Sequence, residues 1–168
     1  MLLLVSGVVA CTNAKPAEHP ATPAEAPGYR SVLAHTDIHG HAIATKPASA
    51  TIVVVFASWC GPCRRELGML KQLAVEKPGL RIIGVNAYED WDDISNQQKL
   101  EKFLGAEHPW LTVVRADDKL LSALGGVPKV PSLFLFDHAG AQVRAFRRAE
   151  RRPPSKAELE NALAQVMK

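Results

Sequence analysis

Cysteine is scarce in this chain, with three residues among 168. That is too few to staple a disulfide-dense miniprotein, and a chain of this length can bury a core without staples. A second Cys-x-x-Cys and a spaced histidine pair are both missing, so a structural zinc tetrahedron lacks half its ligands. No uninterrupted apolar stretch approaches the roughly 20 residues needed to span a bilayer as a helix. Aromatic residues make up only 6%, and 20 basic against 17 acidic residues leave a net charge of +3. So mild an excess gives no argument for binding nucleic acid. What is present, 47% hydrophobic and 22% charged residues, is the composition of a soluble globular domain. It excludes a wholly disordered chain, a collagen and a membrane bundle.

Residues 2–10 (LLLVSGVVA) are apolar or small and lead into Cys11. The run suits the core of an export signal, with Ala10 just before the cut, although no Lys or Arg precedes it. Val8-Val9-Ala10-Cys11 resembles a bacterial lipobox, which implies lipidation of Cys11 and a membrane anchor. An ordinary signal peptide remains the alternative. Behind it, Thr12–Gly28 carries Pro16, Pro20, Pro23 and Pro27 with no apolar periodicity. Proline cannot donate to a helix or sheet ladder, so this segment reads as an extended linker. The expected organisation is an export signal over 1–11, a linker over 12–28 and one folded domain over 29–168.

Within that domain, Val32–Ile38 alternates loosely and Asp37-Ile38-His39-Gly40 supplies turn residues, predicting a hairpin into Ala42–Thr45. Thr51–Ala57 (TIVVVFA) is a β-branched run typical of a strand buried on both faces. A helix follows from about Pro62 to Glu76, stopped by Pro78-Gly79. Leu80–Asn86 reads as a strand, Asp92–Leu104 as a helix, Leu111–Arg115 as a short strand and Asp117–Leu124 as a short helix. Ser132–Asp137 and Gln142–Phe146 flank the hairpin signal Asp137-His138-Ala139-Gly140. Ser155 with Glu158 three residues on forms a capping-box signature for a last helix to about Met167. Helices alternating with strands and a terminal hairpin imply an α/β domain with a mixed sheet.

The chemistry concentrates at Cys60-Gly61-Pro62-Cys63, just after the TIVVVFA strand and at the mouth of a helix. A Cys-x-x-Cys in that strand–helix setting points to thiol–disulfide exchange. Pro62 pre-sets φ for the first helical turn. The helix terminus favours the Cys60 thiolate and lowers its pKa from about 8.5 toward about 7. Cys63 returns three residues later to close a short disulfide. Cys60 is therefore the expected nucleophile and Cys63 the resolving thiol.

The segment Phe56-Ala57-Ser58-Trp59-Cys60-Gly61-Pro62-Cys63-Arg64-Arg65-Glu66 resembles the active site of the thioredoxin superfamily. It is closest in character to the TlpA/ResA-like extracytoplasmic thiol–disulfide oxidoreductases. The resemblance runs from about Ser31 to Lys168. It takes in the entry hairpin, a helical insert over about Tyr88–Pro109, and Val127-Pro128-Lys129-Val130-Pro131-Ser132. It implies a thioredoxin-like fold, a central mixed sheet flanked by helices with an N-terminal hairpin and the insert. It also implies a cis bond before Pro131, with Val130 offering its backbone to an extended substrate and Trp59 shaping the substrate surface. Two positions depart from the pattern. Val54 stands where cytoplasmic thioredoxins carry a buried aspartate, which leaves Glu66 as the candidate proton carrier, and Gly68 stands where a kinking proline is common.

The resulting expectation is a protein-disulfide reductase outside the cytoplasm, possible in a cytochrome c maturation-like role. It needs no cofactor and no metal, acts as a monomer and is recharged by a membrane electron donor. An oxidase or peroxide-linked enzyme on the same fold is one alternative; a copper-delivery module using Cys60, Cys63 and a histidine is another. His35, His39 and His41 read as solvated turn residues. The arginines 144, 147, 148, 151 and 152 form a basic cluster, while Tyr88–Asp118 carries eight acids against three bases.

Overall fold

A computed structural model describes residues 25–89 and 93–167. Five strands form one mixed sheet in the order β3-β2-β1-β4-β5. Strand β1 (Ala50–Phe56) lies at its centre, with β2 (Leu80–Asn86) and β3 (Thr112–Arg115) parallel to it on one side. On the other side β4 (Ser132–Asp137) and β5 (Gln142–Phe146) run as an antiparallel hairpin, with β4 antiparallel to β1.

The continuous apolar run of β1 is explained by burial from both sides. Successive side chains of a strand point to opposite faces. Ile52, Val54 and Phe56 belong to one core cluster, together with helices α2 (Gly61–Glu76), α3 (Ile94–Glu107) and α5 (Lys156–Ala164). Leu67, Leu70 and Leu73 of α2, Leu100 and Phe103 of α3, and Leu159 and Leu163 of α5 are among its helical members. Val53 and Val55 belong to the second cluster, with α1 (Pro27–Ala34) and α4 (Asp118–Ala123). Leu67, Leu70 and Leu73 are fully buried, each contributing about 1.5–3 kcal/mol relative to exposure. Gly84 in β2 keeps the first cluster close. A Cβ there would meet Phe56 Cε1 at 2.9 Å and Val113 Cγ2 at 3.2 Å.

Two expectations are corrected. The strand predicted from Val32 is helix α1, which starts at Pro27, inside the segment read as linker. Proline is at home in a first helical turn, and Tyr29 and Val32 are drawn into the second core cluster. The predicted hairpin into Ala42–Thr45 shrinks to one bridge, Thr36 with Ala42. Asp37 Oδ1 organises that turn by accepting the backbone N–H groups of His39 and His41. The insert is present as α3, and α5 begins with both halves of the Ser155–Glu158 capping box. The export signal, Cys11 and the linker as far as residue 24 lie outside the described residues, as does Asp92.

Candidate active site

Because β4 runs antiparallel to β1, with Ser132 opposite Val55, three loops converge at one edge of the sheet. The C-terminal end of β1 leads through Ser58 and Trp59 to α2, that of β2 leads to Tyr88 and Glu89, and Val130-Pro131 precedes β4. The outer ends of parallel strands are where α/β sheets collect ligands.

Cys60 is the N-cap of α2, with Pro62 in the first turn. Cys60 and Cys63 form a disulfide with a Cα–Cα separation of 5.2 Å. The backbone N–H of Cys63 donates to Cys60 Sγ at 3.2 Å. The same N–H also donates to the Cys60 carbonyl at 3.0 Å, and together with the helix dipole it favours negative charge on that sulfur. The two sulfurs differ in access. Cys63 is fully buried, whereas Cys60 is 5% exposed and lines a cleft of about 660 Å³ with Trp59, Tyr88, Lys129, Val130 and Arg148.

Glu66, three residues after Cys63 and therefore on the same helical face, is buried among leucines, and its Oε1 has no hydrogen-bond partner. Loss of hydration pushes its pKa up to about 7. Val54 is fully buried in the same apolar cluster as both cysteines. Helix α2 runs through Gly68 as one continuous helix. The Val130–Pro131 peptide is cis. Trp59 is 65% exposed and donates its indole N–H to the Tyr88 carbonyl at 3.1 Å.

The sequence reading missed the groups that hold these loops together. Tyr88 has φ +62°, a left-handed conformation uncommon outside glycine. Its hydroxyl donates to the Val127 carbonyl, so it joins the Trp59 loop to the loop before Pro131. Glu89 Oε1 accepts both the Ser58 N–H and the Asn86 side-chain amide. Buried Ser132 donates to the Lys129 carbonyl at 2.8 Å and accepts the Arg148 N–H at 3.0 Å. Arg64 is paired with Glu107 at 2.9 Å and stacks over Phe103. The left-handed Tyr88 and Glu89 lacked any signal, whereas Arg64 and Ser132 stand inside motifs already singled out.

The turn histidines are held by nearby acceptors, and His35 Nε2 also lies 3.5 Å from Asp117 Oδ2 at the start of α4. His35 Nδ1 lies 2.7 Å from the Ser31 carbonyl, and His41 Nδ1 lies 3.2 Å from Asp37 Oδ2. Among the described residues no three His, Cys, Asp or Glu side chains are grouped to hold a metal ion.

No protein-family model and no curated protein matches the sequence. Solved structures do match. A thioredoxin-like protein from Aeropyrum pernix is 18% identical, with 82% of this chain and 91% of that one covered at a TM-score of 0.67. A thiol:disulfide interchange protein from Chlorobium tepidum is 22% identical over 79% of this chain and 91% of that one, TM-score 0.62. The exposed lipoprotein thioredoxin of Streptococcus pneumoniae is 18% identical over 79% and 97%, TM-score 0.62. The topology, the bonded cysteine pair at the start of α2 and these likenesses agree: the chain has the thioredoxin-like fold.

Proposed function

We propose that this protein is a thiol–disulfide oxidoreductase that reduces disulfides in protein substrates outside the cytoplasm. The observation that carries the reading is the asymmetry of the pair. Cys60 lines the cleft and accepts a helix-terminal N–H, while Cys63 is sealed beneath it. A nucleophilic thiolate needs access and a stabilised charge, and a resolving thiol needs only to reach its neighbour. In the reduced protein the Cys60 thiolate attacks one sulfur of a substrate disulfide, forming a mixed disulfide and expelling the other sulfur as thiolate. The Cys63 thiol then loses its proton and attacks Cys60 Sγ, releasing the second substrate thiolate. Two electrons pass to the substrate, and the Cys60–Cys63 disulfide is left for a membrane dithiol donor to reduce. Glu66 is suited to accept the Cys63 proton, because its carboxyl titrates near neutrality on the same helical face. Val130 and Trp59 serve as the substrate-binding surface beside Pro131.

The reductive direction and a cytochrome c maturation-like role follow from the likeness of the active-site sequence. An anchor through lipidated Cys11 follows from the lipobox resemblance. Among the described residues no helix is long and apolar enough to cross a membrane. The test is turnover on insulin with dithiothreitol as electron donor. Wild type should accelerate disulfide reduction, Cys60→Ser should abolish the acceleration, and Cys63→Ser should accumulate a mixed disulfide visible on a non-reducing gel. Full activity in Cys60→Ser would overturn the assignment.

A further inference from the structure

The cleft beside the disulfide brings together two cations from distant parts of the sequence. Lys129 precedes β4 and Arg148 follows β5, yet the Ser132 hydroxyl bonds to the backbone of both. Both residues line the cleft, and among the described residues no Asp or Glu does. Within the basic cluster, Arg147 pairs with Glu150, and Arg151 and Arg152 pair with Glu158. Arg147 also donates to the Leu124 and Gly126 carbonyls and lies over Phe134. Among the described residues Arg148 makes no such ion pair; its guanidinium reaches the Arg151 carbonyl at 3.4 Å. Of the described acids near the site, Glu89 is engaged with Ser58 and Asn86, and Glu107 with Arg64, while Glu66 is buried.

Two cations on one cleft with no described carboxylate between them favour an incoming anion. The remaining lining supplies the rest of a peptide site. Trp59 and Tyr88 present exposed aromatic faces. We propose that the cleft selects an extended polypeptide carrying Asp or Glu within two residues of its disulfide cysteine, with Lys129 and Arg148 receiving the carboxylate. The inference rests on the oxidoreductase reading and adds the substrate class to it. Complementary charge acts mainly on association and weakens with salt.

The test uses three short peptides, each closed by an internal disulfide and differing only in Asp, Asn or Lys beside the cysteines. The reduced full-length protein is mixed with each, quenched in acid and resolved by chromatography. Each rate constant is divided by that of dithiothreitol with the same peptide, which removes the peptide's own reactivity. The Asp peptide should react on the order of tenfold faster than the Lys peptide at low salt, with the ratio approaching one at about 0.5 M salt. The Lys129→Glu/Arg148→Glu double variant should invert the order, and Lys129→Gln/Arg148→Gln should bring the ratio to about one. Because each variant is judged on a ratio, a general loss of activity does not mimic the result. Equal rates in wild type, or a preference for Asp that survives in both double variants, would overturn the proposal. Failure of wild type to reduce any of the peptides and the uncharged hydroxyethyl disulfide would instead bring down the oxidoreductase reading, and this inference with it.

Discussion

Glu66 brings an ionisable carboxyl into a helix face otherwise made of Cys63, Leu67, Leu70 and Leu73. Burial raises its pKa from 4.5 to about 7, and that displacement has a cost that depends on pH. Between the two values the folded state holds the proton and the unfolded state has released it. The native state then binds more protons, so stability falls as pH rises through about 7. The full difference is on the order of 3 kcal/mol. His108 acts in the opposite sense. Its buried ring has a lowered pKa, chiefly through desolvation, so the stability it contributes is lost as pH falls below about 6.5. Glu66→Gln removes the first effect and leaves the second. Urea midpoints at pH 5, 6, 7 and 8 should converge for the variant relative to wild type at low pH and separate in the variant's favour at high pH. A constant gap between the two proteins across that range would show that Glu66 does not titrate in the folded state.

At the scale of elements, the loops around the disulfide are joined by Tyr88 more than by any strand. Its carbonyl receives Trp59 and its hydroxyl reaches Val127. Tyr88→Phe deletes the second bond while keeping the ring, and should lower stability by about 1 kcal/mol, read as a shift in urea midpoint with unchanged slope. An unmoved midpoint would mean the hydroxyl bond contributes nothing. The strands β2, β4 and β5 and the helices α2 and α5 were legible in the sequence because local signals decide them: β-branched runs, the Asp137–Gly140 turn, the proline and the capping box. Helix α1 was not, because Tyr29 and Val32 are its only large buried side chains and their spacing fits a loose alternation as well. What selects the helix is a tertiary contact. Gly28 sits so close to α4 that a Cβ would lie 2.7 Å from Leu124 Cδ2. The cysteine pair was legible for the same local reason as α2. Lys129 and Arg148 were not legible as a pair, since only the β4–β5 hairpin and Ser132 bring them together.

At the scale of the whole molecule, redox direction and stability are two sides of one cycle. Folding, unfolding and dithiol oxidation close into a loop, so whichever redox state is more stable against unfolding is the state the fold favours. Each 1.4 kcal/mol of difference corresponds to about 30 mV for this two-electron couple. The fold pulls in both directions. The Cys63 N–H on Cys60 Sγ and the helix terminus favour the reduced, thiolate form. The apolar surroundings of Cys63, Val54 among them, disfavour any charge on the second sulfur. A protein that donates electrons must be the more stable for being oxidised, so the proposed reductant requires the second influence to prevail. The urea midpoint of the disulfide form should therefore exceed that of the protein held in dithiothreitol at pH 7. The gap should narrow in Val54→Asp, where a carboxylate accepting a hydrogen bond from the Cys63 thiol stabilises the reduced form. A reduced form that outlasts the oxidised one would assign the same site to disulfide formation instead.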